Sequence, residues 1–142
     1  MKHDTIGYEL LDHTGDIGIR VWADNVQGLF AEAARALFDI ITDRTKVAIR
    51  LHREVVVEGA GREELMVAWL NELLYLHEVE ELLFGDFAIT DITPGRLKGV
   101  ASGERFEEAR HILKTAVKAV TYHLLKVTKK DGRWQARIIF DI

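Results

Sequence analysis

Leu10-Leu11-Asp12-His13-Thr14-Gly15-Asp16-Ile17-Gly18-Ile19-Arg20-Val21-Trp22 changes character around Gly15, and that change decides how the chain is read. After it, Ile17, Ile19 and Val21 alternate with Gly18, Arg20 and Trp22, the period-two pattern of a half-buried strand. Before it, residues 7–12 read as a first short strand. The connection between them concentrates three groups able to bind a cation or move a proton: Asp12, His13 and Asp16. The end of the sequence supplies a counterpart. Residues 137–142 again read as a strand, closing on Asp141 and Ile142. If the two strands pair, the Asp16 carboxylate meets the Asp141 carboxylate and a terminal carboxylate on Ile142.

Working outward, Asn25 is placed to cap a helix, and Val26, Leu29, Phe30, Ala33, Leu37, Ile40 and Ile41 recur at helical spacing. From Thr45 the period returns to two through residue 58. Residues 62–81 give the strongest helical pattern, with Leu65, Met66, Trp69, Leu70, Leu73 and Leu74 at i, i+3, i+4, i+7 spacing and Glu63 and Glu64 at the dipole's positive end. Residues 84–93 and 96–104 read as strands joined at Pro94-Gly95. Residues 107–118 suit a helix, residues 119–129 a strand, and Asp131-Gly132 a hairpin turn into the last strand. Strand runs interrupted by two or three helices predict one two-layer α+β domain over residues 1–142, with a mixed or mostly antiparallel sheet.

Composition narrows the function classes. The 142 residues are 48% hydrophobic and 30% charged, the balance of an ordinary globular chain. Cysteine is absent, which removes disulfides, a thiolate nucleophile and cysteine-bound metal. No membrane segment or targeting sequence is visible, so a cytoplasmic protein is expected. The formal net charge of −4 opposes tight binding of phosphate backbones. No phosphate-loop spacing is present.

Carboxylates from Asp16, Asp141 and the chain end are hard oxygen donors, suited to calcium, magnesium or manganese rather than zinc. The alternative is that Asp16 caps a turn and Asp141 is an ordinary exposed acid. His13 is either a ligand, a general base or a histidine bonded to backbone, and Asp12 either extends the acidic cluster or points away. Lys114 and Lys118 either contact an acidic partner or phosphate, or decorate a solvated face. His77 and His123 read as satisfied core or boundary histidines, and His3, His52 and His111 as surface residues. An enzyme built from these groups would be a metal-assisted hydrolase with His13 as base; the scarcity of other catalytic groups favours a binding role.

Four blocks in order, His13-Thr14-Gly15-Asp16-Ile17-Gly18-Ile19, residues 69–75, residues 113–123 around Leu113-Lys114-Thr115 and Lys118-Ala119-Val120-Thr121-Tyr122-His123, and Ile139-Phe140-Asp141-Ile142, resemble the archease family. Gly15, Ala116 and Leu124 depart from its usual Ala, acidic residue and Gly. The resemblance implies a non-enzymatic activator of the RtcB-type RNA ligase of tRNA splicing and RNA repair. It would promote the guanylated intermediate and its turnover, and widen nucleotide triphosphate use. A chaperone role toward a tRNA methyltransferase is the alternative. The resemblance also implies a divalent-cation site formed by Asp16, Asp141 and Ile142; the residues around it place His13, Asp12 and Lys118 as candidate neighbours or partner contacts.

Overall fold

The computed structural model describes residues 5–11 and 15–142. In chain order the elements are β1 (Gly7–Leu11), β2 (Ile17–Ala23), α1 (Val26–Ile41), a short 3-10 turn (Arg44–Lys46), β3 (Leu51–Glu58), α2 (Arg62–Glu80), β4 (Leu82–Thr93), β5 (Arg96–Arg105), β6 (Ala119–Lys130) and β7 (Arg133–Asp141). The α+β class and the antiparallel pairing hold. The strands divide into two sheets, one ordered β1-β2-β7-β6 and one ordered β3-β5-β4. Both helices contact both: α1 packs on β2 and β4, α2 on β6 and β3, and no described strand of one sheet touches the other. The helices are therefore the layer that joins them, where one sheet and two layers were expected.

Local chemistry sets the element ends. Asn25 accepts a hydrogen bond from the Gly28 amide at 2.7 Å, satisfying an orphan donor of the first turn of α1. The turn between β6 and β7 places Asp131 and Gly132 at φ +53° and +75°, the left-handed pair that a two-residue hairpin demands.

The core follows from the wide apolar arc of α1, interrupted by one polar stripe of Gly28, Glu32, Arg35 and Asp39. Leu29, Phe30, Ala33, Ala34, Leu37 and Phe38 are fully buried, because sheets cover the helix from two sides. Trp69 of α2 is also fully buried, and its indole N–H donates to the Phe30 carbonyl at 2.9 Å. Phe38 and Phe84 meet edge to face at 5.6 Å.

Residues 106–118 form no helix, contrary to the periodicity. The segment runs as a strap, with Ile112 and Leu113 exposed. The reason is the buried ring of His111, expected at the surface but only 4% exposed. It bonds Glu104 through Nε2 at 2.9 Å and accepts the Glu107 amide at Nδ1, also at 2.9 Å. Further along, the Lys114 amide donates to the Ile41 carbonyl at 2.7 Å, and the Thr42 hydroxyl to the Ile112 carbonyl at 2.6 Å. These contacts outweigh helical propensity.

Candidate functional site: an acidic sheet end beside a mixed-charge cleft

β2 and β7 pair antiparallel with Ile17 opposite Phe140, so Asp16 lies just before the last pair of the ladder and Asp141 just after it. The register thus brings these two predicted positions to the same end of the sheet. Asp16 is half-buried; Asp141 and Ile142 are exposed. Asp141 also lies opposite Ala119, and its carbonyl accepts the Lys118 amide at 2.8 Å. Lys118 is tied to this corner by its backbone, with its side chain exposed. Asp12 and His13 lie outside the described residues. His123, expected at a core boundary, is exposed on β6. His77 does sit at a boundary, its Nδ1 bonding the Leu82 carbonyl at 2.9 Å.

Asp16 also lines a cleft of about 620 Å³ between β1, the C-terminal end of α1 and the strap. Tyr8, Asp39, Asp43, Arg44 and Lys114 are its other polar walls. The Tyr8 hydroxyl donates to Asp39 at 2.8 Å, and Arg44 bonds both Asp39 at 2.9 Å and the Gly85 carbonyl at 2.9 Å. Burial and the neighbouring Asp39 carboxylate push the Tyr8 phenol up to about 12. The Thr45 hydroxyl, bonded at 2.6 Å, holds the Asp43 carboxyl below its ordinary value. Sequence reasoning missed this cleft. Its one visible signal was Asp39, a lone acid inside the apolar run Leu37-Phe38-Asp39-Ile40-Ile41.

Three acids line the cleft, Asp16, Asp39 and Asp43; Tyr8 and Arg44 bond Asp39, and Thr45 bonds Asp43. Among the described residues no group of three or more histidine or acidic side chains is assembled to hold a metal. Any cation here would depend on Asp16, Asp141 and main-chain oxygen at the corner. No helix among the described residues is long and apolar enough to cross a membrane.

Fold and site together define a small α+β domain with an acidic sheet end opening on a mixed-charge cleft. The Archease protein family model matches residues 8–142. The archease of Methanopyrus kandleri is 42% identical over 138 residues, covering 95% of this chain and 99% of that protein. The archease of Pyrococcus furiosus is 42% identical over 139 residues, covering 95% and 98%. Among solved structures, the solution structure of Methanobacterium thermoautotrophicum protein 1598 superposes with a TM-score of 0.83 at 35% identity, covering 96% of this chain and 99% of that one. The crystal structure of a Thermotoga maritima archease, described as a possible chaperone, shares the fold with a TM-score of 0.65 at 21% identity, covering 93% and 94%. The chain belongs to the archease family.

Proposed function

We propose that this protein is a non-catalytic activator of an RtcB-type RNA ligase, promoting the ligase's guanylated intermediate and its turnover and widening the nucleotide triphosphates it accepts. It acts in the cytoplasm with a divalent cation, calcium first and manganese or magnesium next, held by Asp16, Asp141 and Ile142. The observation that supports this most is the β2–β7 register, which sets Asp16 and Asp141 at one end of the sheet in a chain of this family.

The donor chemistry fits the ion. Carboxylate and main-chain oxygens suit a hard cation, and two acids held together without one repel each other. Since the Asp141 carbonyl is occupied by the Lys118 amide, Asp141 contributes its side chain. The side chain of Ile142 is apolar, so that residue contributes main-chain oxygen. Lys118 at the corner and Lys114 in the adjoining cleft serve as partner contacts, and Asp12 and His13 are assigned the same role from the sequence.

The test is to mix the protein with its cognate ligase, GTP and a divalent cation and to follow guanylated ligase over time. Acceleration at substoichiometric protein is the expected result. A requirement for one protein per ligase would instead favour a chaperone, toward a tRNA methyltransferase in the alternative reading. Phosphoester or nucleotide turnover by the protein alone would favour a metal-assisted hydrolase.

A further inference from the structure

The outer face of the four-stranded sheet carries a second concentration of chemistry, away from the acidic end. Directly paired residues of antiparallel strands point to the same side. Glu9 pairs with Arg20, Arg20 with Arg137, and Arg137 with Lys126, so one row across all four strands holds three cations and a single carboxylate. The neighbouring row, Val21, Ala136 and Val127, is buried under the helices, which turns the charged row to solvent. All four of its residues are exposed. Glu9 bonds Arg20 at 3.0 Å, whereas among the described residues no carboxylate pairs with Arg137 or Lys126. A chain of net charge −4 thus keeps a locally positive strip.

A break in β6 gives this strip a wall. The β6–β7 register jumps between Thr121 and Lys126, and Leu124 takes φ +57°, so residues 122–125 leave the ladder. The bulge presents the Tyr122 ring, 60% exposed, and closes a depression of about 460 Å³ whose floor includes Arg20, Lys126, Arg137, Thr128 and Gln135. Cations, an exposed ring and hydroxyl and amide groups on a flat sheet are the parts that bind a single-stranded polynucleotide. Phosphates meet the cations, a base stacks on the ring, and base edges meet Thr128 and Gln135. An acidic peptide would use the cations but gain nothing from the ring, and a duplex offers no free base face.

We infer that this face binds a short stretch of single-stranded nucleic acid through Arg20, Arg137, Lys126 and Tyr122. The whole-chain charge keeps that binding weak and strongly salt-dependent. The inference stands independently of the ligase reading, because it concerns a different face and is tested without a ligase.

The experiment measures fluorescence anisotropy of labelled oligouridine and of the matching DNA oligomer, titrated with the full chain across a salt series. With Arg20 held by Glu9, two phosphates neutralised by Arg137 and Lys126 on a single strand give a log–log salt slope of about −1.4, or roughly a seven-fold loss of affinity between 50 and 200 mM salt. The double variant K126A/R137Q is expected to lose at least ten-fold in affinity and to flatten the slope to near zero. Tyr122→Ala is expected to lose several-fold with the slope unchanged, which a purely electrostatic patch does not produce. Lys98→Ala, on the other sheet, serves as the control. Tighter binding of RNA than DNA shows a contribution from the 2′-hydroxyl, and equal binding shows backbone and base contacts alone; both support the site. Absence of salt-dependent binding overturns it, as does wild-type affinity in folded K126A/R137Q and Tyr122→Ala. Displacement by polyglutamate as effective as by unlabelled oligouridine also overturns it, reassigning the face to an acidic protein segment.

Discussion

Glu104→Gln removes one charge from the most enclosed carboxylate of the described chain and leaves its shape unchanged. The Glu104 side chain is 3% exposed. One oxygen accepts the Ala48 amide at 2.7 Å and the His111 Nε2–H at 2.9 Å; the other accepts Arg110 and, at 3.1 Å, Arg50. The Arg110 guanidinium is the main reason its carboxyl lies at about 2, well below the ordinary 4.5; the Ala48 and His111 donors add to the shift, and burial opposes it. A shift of that size corresponds to roughly 3 kcal/mol at neutral pH. Partial exposure of both arginines reduces it, so about 2–3 kcal/mol is expected. An amide keeps one oxygen, so two of the four donors lose their acceptor. At about 2–4 °C per kcal/mol, Tm should fall by roughly 8 °C. The sign with pH is fixed. A depressed folded pKa stabilises above about 4.5, and that contribution is lost as pH falls toward 2. Urea unfolding of both proteins at pH 7 and near pH 2 should therefore show the gap closing in acid. A cost under about 0.5 kcal/mol at pH 7, or a gap undiminished in acid, would refute the reasoning.

Trp69→Ala should cost about 3–5 kcal/mol through cavity and lost transfer energy, with the indole bond to the Phe30 carbonyl lost as well; urea unfolding checks it, and a near-native midpoint sinks it. Gly103→Ala would set a Cβ 1.9 Å from the Leu83 carbonyl oxygen, inside the β4–β5 ladder. A loss of roughly 3 kcal/mol or more is expected, read by thermal unfolding, because backbone has to move. Asp16→Ala should lower stability by no more than about 1 kcal/mol, the scale of a lost cap. It should abolish calcium binding by calorimetry and activation of the ligase; normal activation would remove Asp16 from the site.

What the sequence made legible was local. The Asn25 cap, the long stripe of α2, the Pro94-Gly95 corner and the Asp131-Gly132 hairpin all rest on residues within a few positions of one another. The pairing of β2 with β7, which sets positions 16 and 141 at one end of the sheet, was legible too, because strand-like alternation at both chain ends allowed only a few pairings. Partition of the strands between two sheets was not, since each strand's apolar face is satisfied by either helix. His111 was misread because its partner Glu104 belongs to a preceding strand, and nothing in Arg110-His111-Ile112 shows that the ring turns inward. The strap followed His111 rather than the helical spacing of Ala109, Ile112 and Leu113. The cleft stayed hidden because Tyr8, the Asp39–Arg44 stretch and Lys114 come from three separate parts of the sequence.

β7 lies in the interior of its sheet, between β2 and β6, and carries the buried Ile138, Ile139 and Phe140. Among the described residues, the β1–β2 hairpin joins the rest of that sheet only through β7. During synthesis, α1 therefore leaves the ribosome with its wide apolar arc uncovered, long before the strand that completes its cover has been made. This layout delays formation of the cooperative unit until translation has passed Phe140. Pairing strands from opposite ends of the sequence makes that step slow. In the interval, the exposed face of α1 is the segment from which a chaperone or an aggregate would first recruit the nascent chain.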